Sequence, residues 1–309
     1  MKKLITILLS AIFCLSLIAC SADKNDTDEP SNATEKTVTY NGQDYTIPAD
    51  ATRIVGATPS VTEIIAGLGA ADKLVAVDNY STDVEGIDTA LPTFDTMSPD
   101  IEMLMSLEPQ ILIASTNSQL NDDDPYKTLT EQGVTVIYMD NSVSLEGIMN
   151  DIKFLGEIVN KEDEAQSMAD EMRKSIDEIA DIGKTITDQK TVYFELAPSP
   201  NITTFGTGNF LNEILELCGA VNIFGDEEGW ISPNAETIIT KAPDVIITNV
   251  DYMDDQVNAI KAREGWSSIP AVANDEVYLV EANASSRPTQ NVVKAMKEIA
   301  KAVYPEYYQ

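Results

Sequence analysis

Apolar and polar residues follow one another along this chain in blocks that can be read element by element. Leu4 to Ile18 is an apolar stretch interrupted by Thr6, two serines and Cys14; it follows Lys2 and Lys3 and ends in Leu17-Ile18-Ala19-Cys20. It falls short of the ~20 apolar residues that a spanning helix needs. A basic start, an apolar middle and small residues at the cut describe a secretory signal over residues 1–19. Residues 20–36 are polar and acidic with no apolar period, the pattern of a flexible tether. From residue 53 onward short apolar runs rich in β-branched residues predict buried strands at Arg53 to Ala57, Leu74 to Val77, Ile111 to Ile113, Thr191 to Leu196 and Val245 to Ile247.

Between these runs lies a repeated unit. Residues 98–114 run SPDIEMLMSLEPQILIA and residues 232–248 run SPNAETIITKAPDVIIT, so one step of 134 residues carries Ser98 to Ser232, Glu102 to Glu236 and Pro109 to Pro243. Each copy predicts a serine cap, a proline in the first helical turn and a second proline after the helix, followed by a buried strand. An earlier pair precedes it. Thr62-Glu63-Ile64-Ile65 leads to Gly69, and Asn212-Glu213-Ile214-Leu215 leads to Gly219, each a helix closed by a glycine. Strand and helix alternating in this way predict α/β architecture, a parallel sheet flanked by helices, present twice.

Leu145, Ile148, Ile152, Leu155 and Val159, then Met168, Met172, Ile176 and Ile179, form an apolar stripe at helical spacing, with a charged break between the two groups. The expected division is a first lobe over 37–143, a helical linker over 144–184 and a second lobe over 185–309. One long helix crossing between the lobes predicts small hinge motions, with a ligand cleft where the strand ends of the two lobes meet.

Composition narrows the chemistry. The formal charge is −31, which argues against nucleic acid or an anionic lipid surface as partner. With Cys14 removed and Cys20 at the cut, Cys218 has no partner for an intramolecular disulfide. Histidine is absent and the arginines number four: Arg53, Arg173, Arg263 and Arg287. No Ser–His or Cys–His pair can therefore form, and no Gly-x-Ser-x-Gly or P-loop pattern is present. No catalytic residue is assigned; an extracytoplasmic enzyme using Glu195 as a lone base is the competing class. A free zinc or manganese site lacks imidazole and thiolate ligands, so neither a metal nor a cofactor is expected. Asp122-Asp123-Asp124 is taken as an acidic helix start.

Four aromatic residues sit in strand-end loops beside Gly, Pro, Asp or Asn: Tyr80, Phe94, Phe205 and Trp230. They are the candidate ligand contacts, with Asn79, Asn201 and Thr204 as polar neighbours.

The ending Leu-Ile-Ala-Cys resembles the bacterial lipobox, which implies that Cys20 is lipidated and tethers the chain to the membrane from outside the cytoplasm. The paired Ser-Pro-x-x-Glu segments and the aromatic loops resemble the class III substrate-binding proteins of ABC importers over residues ~50–305, and its cobalamin-binding members most. The resemblance implies a monomer that delivers its ligand to a permease dimer with its ATPase, with Glu102 and Glu236 docking on permease arginines. It also implies a corrinoid ligand against Tyr80, Phe94, Phe205 and Trp230; Phe94 stands where those members carry tryptophan, and the segment Glu281 to Arg287, which corresponds to their C-terminal ligand loop, matches them poorly. An iron-siderophore or haem complex is the alternative ligand, although such anions call for a cluster of basic residues that this chain can hardly assemble.

Overall fold

The buried strands pair as two parallel sheets. The computed structural model describes residues 34–119 and 124–308; residues 1–33, with the signal segment, Cys20 and most of the tether, lie outside them, as do Asp122 and Asp123. The chain opens with an antiparallel hairpin, β1 (Glu35–Tyr40) and β2 (Gln43–Pro48), turned by Asn41 and Gly42. There follow β3 (Ile54–Gly56), α1 (Pro59–Gly67), β4 (Leu74–Asp78), β5 (Thr93–Phe94), α2 (Ile101–Ser106), β6 (Ile111–Ser115), α3 (Lys127–Glu131) and β7 (Thr135–Met139). These strands form the first sheet, in the order β5-β4-β3-β6-β7, parallel throughout.

Two helices, α4 (Leu145–Val159) and α5 (Glu162–Gly183), lead to β8 (Thr191–Glu195), β9 (Thr204–Phe205), α6 (Phe210–Leu217), β10 (Val221–Asn222), β11 (Trp230–Ile231) and α7 (Ala235–Lys241). The chain closes with β12 (Val245–Thr248), α8 (Gln256–Lys261), α9 (Pro270–Ala273), β13 (Val277–Leu279), α10 (Ala282–Ser286) and α11 (Val292–Val303). The second sheet has the order β10-β8-β12-β13 and is also parallel, while β9 and β11 form a small antiparallel pair. Strands β6 and β12 are buried along their whole length, which is why their sequences run apolar without alternation.

Two expectations are corrected here. The apolar stripe over 145–179 is not one helix: Asn160, in the left-handed conformation at φ 58°, ends α4, and α5 folds back along it so that Arg173 pairs with Glu146. A Cβ on Gly156 would lie 2.4 Å from that of Ala165, so glycine permits this close crossing. Only α5, about 33 Å long at 1.5 Å per residue, then runs on to the second lobe, where Gly183 packs against Leu217 and Gly219. The serines of the repeat are not the caps either. Asp100 and Asn234, two residues further on, accept from the N–H groups of Met103 and Thr237, and the prolines precede the helices instead of starting them. A carboxylate or amide oxygen reaches those N–H groups, and each extended cap follows a proline that holds the entry strand rigid.

One apolar cluster runs unbroken through both lobes. It links Ile54, Ile64 and Ile65 of the first to Ile214, Leu215 and Met296 of the second by way of Ile152 and Leu155 on α4 and Met172 and Ile176 on α5. The outer faces of the two sheets have clusters of their own, around Leu104 and Leu112 and around Ile246 and Trp266.

Candidate functional site

A cavity of about 660 Å³ opens where the carboxyl ends of both sheets face each other. Asp78 at the end of β4, Ser115 at the end of β6 and Leu196 just past β8 line it, the position where parallel α/β sheets bind ligands. The starts of α1 and α6 line it as well. Thr58 caps α1 by accepting from the Val61 N–H, and Asn209 caps α6 by accepting from the Asn212 N–H.

Large apolar side chains are exposed on this wall to an unusual degree. Tyr80 is 76% and Met97 69% exposed on the first lobe, with Val143 at 60% in the loop before α4, and Trp230 is 67% exposed on the second lobe. Exposed apolar patches of this kind mark binding surfaces. Tyr80 and Trp230 thus line the cavity together. Phe94 and Phe205 do not. Phe94 is 4% exposed and packs among Val55, Ala76, Leu104 and Leu112; Phe205 is wholly buried with its ring 5.5 Å from that of Phe194. Glycine, proline and aspartate flanks mark both as turn neighbours, but each belongs to a two-residue strand whose pairing turns the ring into the core. Asn79, Asn201 and Thr204 also stay off the lining; the Thr204 hydroxyl donates to the Phe194 carbonyl at 2.6 Å. Polar lining comes instead from small groups such as Ser60, Ser115, Asn141, Ser142, Asn209 and Ser285.

Charge on the wall is sparse and already paired. Asp78, 1% exposed, accepts from the Tyr80 N–H at 2.8 Å and from the Ser81 hydroxyl, and burial raises its pKa above the usual carboxylate range. Arg287 is the one cationic side chain among the described residues lining the cavity. Its guanidinium donates to Glu63 at 3.2 Å, to Asp83 at 2.8 Å and to the Tyr80 carbonyl at 2.9 Å. Burial alone would depress its pKa, but the bonds to Asp83 and Glu63 carry it above its ordinary value.

The other singled-out residues lie elsewhere. Glu102 and Glu236 are exposed in the first turns of α2 and α7. Glu195 is fully buried away from the cavity, where Arg263 takes both of its oxygens at 2.5 and 2.7 Å. Cys218 is a buried free thiol, which burial pushes up to about 12. Among the described residues no group of three or more Asp, Glu, Cys or His converges as a metal site, and no helix is long and apolar enough to cross a membrane. Residue patterns missed Met97 and Val143, and Arg287 was reached only as the end of the ligand loop Glu281 to Arg287 that the resemblance implies, with no contact assigned in it. Val143 had a legible signal, a lone apolar residue among Asn and Ser before a helix; Met97 and Arg287 are recognisable only from what surrounds them.

Comparison with known proteins agrees with this geometry. The family described as "Periplasmic binding protein" matches residues 54–284. An ABC transporter substrate-binding lipoprotein of Bacillus subtilis, YvrC, is 30% identical over 314 residues, 98% of this chain and 96% of that protein. The vitamin B12-binding protein of Vibrio cholerae is 28% identical over 253 residues, 82% of this chain and 89% of its own. Among solved structures, the periplasmic heme-binding protein HutB of Vibrio cholerae superimposes with a TM-score of 0.73 at 23% identity, covering 83% of this chain and 100% of that one, a likeness of fold.

Proposed function

Because the chain belongs to the periplasmic binding protein family, we propose that this ABC transporter substrate-binding protein captures a corrinoid in the cleft and hands it to its permease. The observation that carries the ligand class is the state of Arg287. The one cation among the described lining residues is already bonded to two carboxylates, and apart from the buried, hydrogen-bonded Asp78 the remaining wall is aromatic, aliphatic or neutral and polar. Propionates, catecholates and citrates need free guanidinium or ammonium groups. A corrinoid brings its own cobalt ligands and presents a rim of neutral amides. Aromatic faces from Tyr80 and Trp230 suit its apolar surface, and the Ser and Asn side chains suit its amides. The relative from Vibrio cholerae that is named for vitamin B12 points the same way.

Glu102 and Glu236 serve as the permease contacts in this reading. Both are exposed, on matching helices of the two lobes, as docking on two copies of a permease subunit requires. The lobes are taken as 37–143 and 185–309, and Cys20 carries the lipid that holds the chain outside the cytoplasm. The second reading is a ferric or haem complex, favoured by the exposed Tyr80 phenol, an oxygen that iron can take as ligand.

Calorimetric titration of the protein with cyanocobalamin, haemin and a ferric hydroxamate decides between them. One-to-one binding of cyanocobalamin alone is the expected result. Binding of haemin or the hydroxamate instead moves the ligand to iron, and silence from all three removes the corrinoid assignment.

A further inference from the structure

Two glutamates at matching places in the repeat each reach across between the lobes. Glu63, on α1 of the first lobe, is only 8% exposed. Its carboxylate accepts from Asn291 at 2.5 Å, Thr289 at 2.7 Å and Arg287 at 3.2 Å, and its backbone carbonyl accepts from Gln290 at 3.2 Å. All four donors lie on the chain between α10 and α11, and it leads directly into α11, the helix that packs with α5 and α6. Glu213 holds the corresponding place on α6 of the second lobe. It accepts the Leu145 N–H at 2.8 Å, at the first residue of α4, and α4 packs on α1 and β1 of the first lobe. Each glutamate thus stands on one lobe and takes its donors from the chain packed on the other.

We propose that Glu63 and Glu213 are paired positioning residues that hold the unliganded cleft at its binding width, and that Glu63 also sets the Tyr80 loop by way of Arg287. Glu63 cannot swing free of its donors cheaply. Drawing Thr289 and Asn291 away would leave a buried carboxylate short of partners, one of the costlier events in a protein interior. Glu213 satisfies an N–H at the start of a helix that has no partner within the helix, where a carboxylate is favoured electrostatically. Arg287 passes the constraint on, since one guanidinium bonds Glu63, Asp83 and the backbone oxygen of Tyr80. Asn283 bonds Asp83 at 2.7 Å and closes the same edge. With the apolar cluster continuous through α4 and α5 as well, two polar pins between the lobes leave little freedom for the lobes to rotate. A cleft held in this way meets its ligand without an ordering cost, which strengthens binding.

The effect on ligand binding rests on the reading of the cleft as the ligand site; the effect on the lobes does not. The test is the distance distribution between spin labels on non-natural keto side chains at exposed Lys127 and Glu264, measured by pulsed electron resonance on the ligand-free full chain. The wild type is expected to give one narrow distribution. Glu63→Ala and Glu213→Ala are each expected to broaden it and to raise cyanocobalamin dissociation about tenfold with less change in association, and Glu63→Gln, which keeps an acceptor, to restore part of both. A narrow distribution in a folded Glu63→Ala variant overturns the proposal. Should that variant fail to fold, Glu213→Ala decides: its carboxylate is only partly buried, and an unchanged distribution there overturns the proposal equally. A wild type that ignores cyanocobalamin defeats the ligand reading, while the distances still judge the pins.

Discussion

Glu102 and Glu236 occupy the same place in two copies of one backbone. Each is the second residue of a short helix entered through an Asx cap, Asp100 or Asn234, and each helix is followed by a left-handed residue, Glu108 at φ 48° or Ala242 at φ 46°. The 134-residue step of the sequence therefore holds down to single backbone torsions, at residues other than glycine that adopt this conformation at a cost. Two exposed carboxylates, each at the positive end of a helix, are presented in equivalent ways by the two lobes.

That equivalence predicts the behaviour of the pair. Glu102→Ala with Glu236→Ala is expected to abolish uptake in cells while calorimetry shows ligand affinity within about twofold of wild type. The stability cost should stay near ~0.3–1 kcal/mol for each of the two exposed helix-end charges. Normal uptake by the double variant removes the docking assignment.

The four loop aromatics should separate into two classes. Tyr80→Ala and Trp230→Ala, both at exposed side chains, are expected to weaken ligand binding about tenfold or more and leave urea unfolding unchanged. Phe94→Ala and Phe205→Ala, both at buried rings, are expected to cost about 3–5 kcal/mol of stability. Equal effects on stability from all four would contradict these ring orientations.

The Glu195–Arg263 pair gives a stability test remote from the cavity. Tyr193 and Gln256 donate to the same carboxylate at 3.2 and 2.9 Å, but Arg263 alone supplies the compensating charge. Arg263→Ala is expected to cost about 3–5 kcal/mol in denaturant unfolding, because it leaves a buried charge unpaired. Replacing Glu195 by Gln in the same chain should recover part of that loss, and a single variant as stable as wild type would show that the pair contributes nothing.

Asp151 should make stability depend on pH in a definite direction. It is 7% exposed, and burial raises its pKa to about 6, while Ser142 and Tyr40, donating at 2.5 and 3.1 Å, oppose the shift. The folded pKa lies above the unfolded one, so the native chain binds the extra proton between about pH 4 and 6. The contribution is complete below that window and lost as pH rises through it, about 3 kcal/mol in all, of which about 2 kcal/mol is lost between pH 4.5 and 7.5. Asp151→Asn is therefore expected to gain about 2 kcal/mol relative to wild type between pH 4.5 and 7.5, read from urea midpoints at both pH values. A constant difference across the range would rule the assignment out.

Much of the architecture was legible in the residue order. The β-branched runs became the parallel strands, Gly69 and Gly219 follow α1 and α6 in the left-handed conformation, and Cys218 is a buried free thiol. These follow from periodicity, from the torsions that a residue type tolerates and from counting, all of which are local or global properties of a string. Tertiary packing decided the rest. The direction of an aromatic ring in a two-residue strand depends on what lies beneath it, so Phe94 and Phe205 turned inward while Tyr80 and Trp230 stayed at the cavity. Whether Arg287 offers a charge to a ligand depends on Glu63, 224 residues earlier in the chain. No local pattern records that distance, because the field at a site is the sum of charges that only folding brings together.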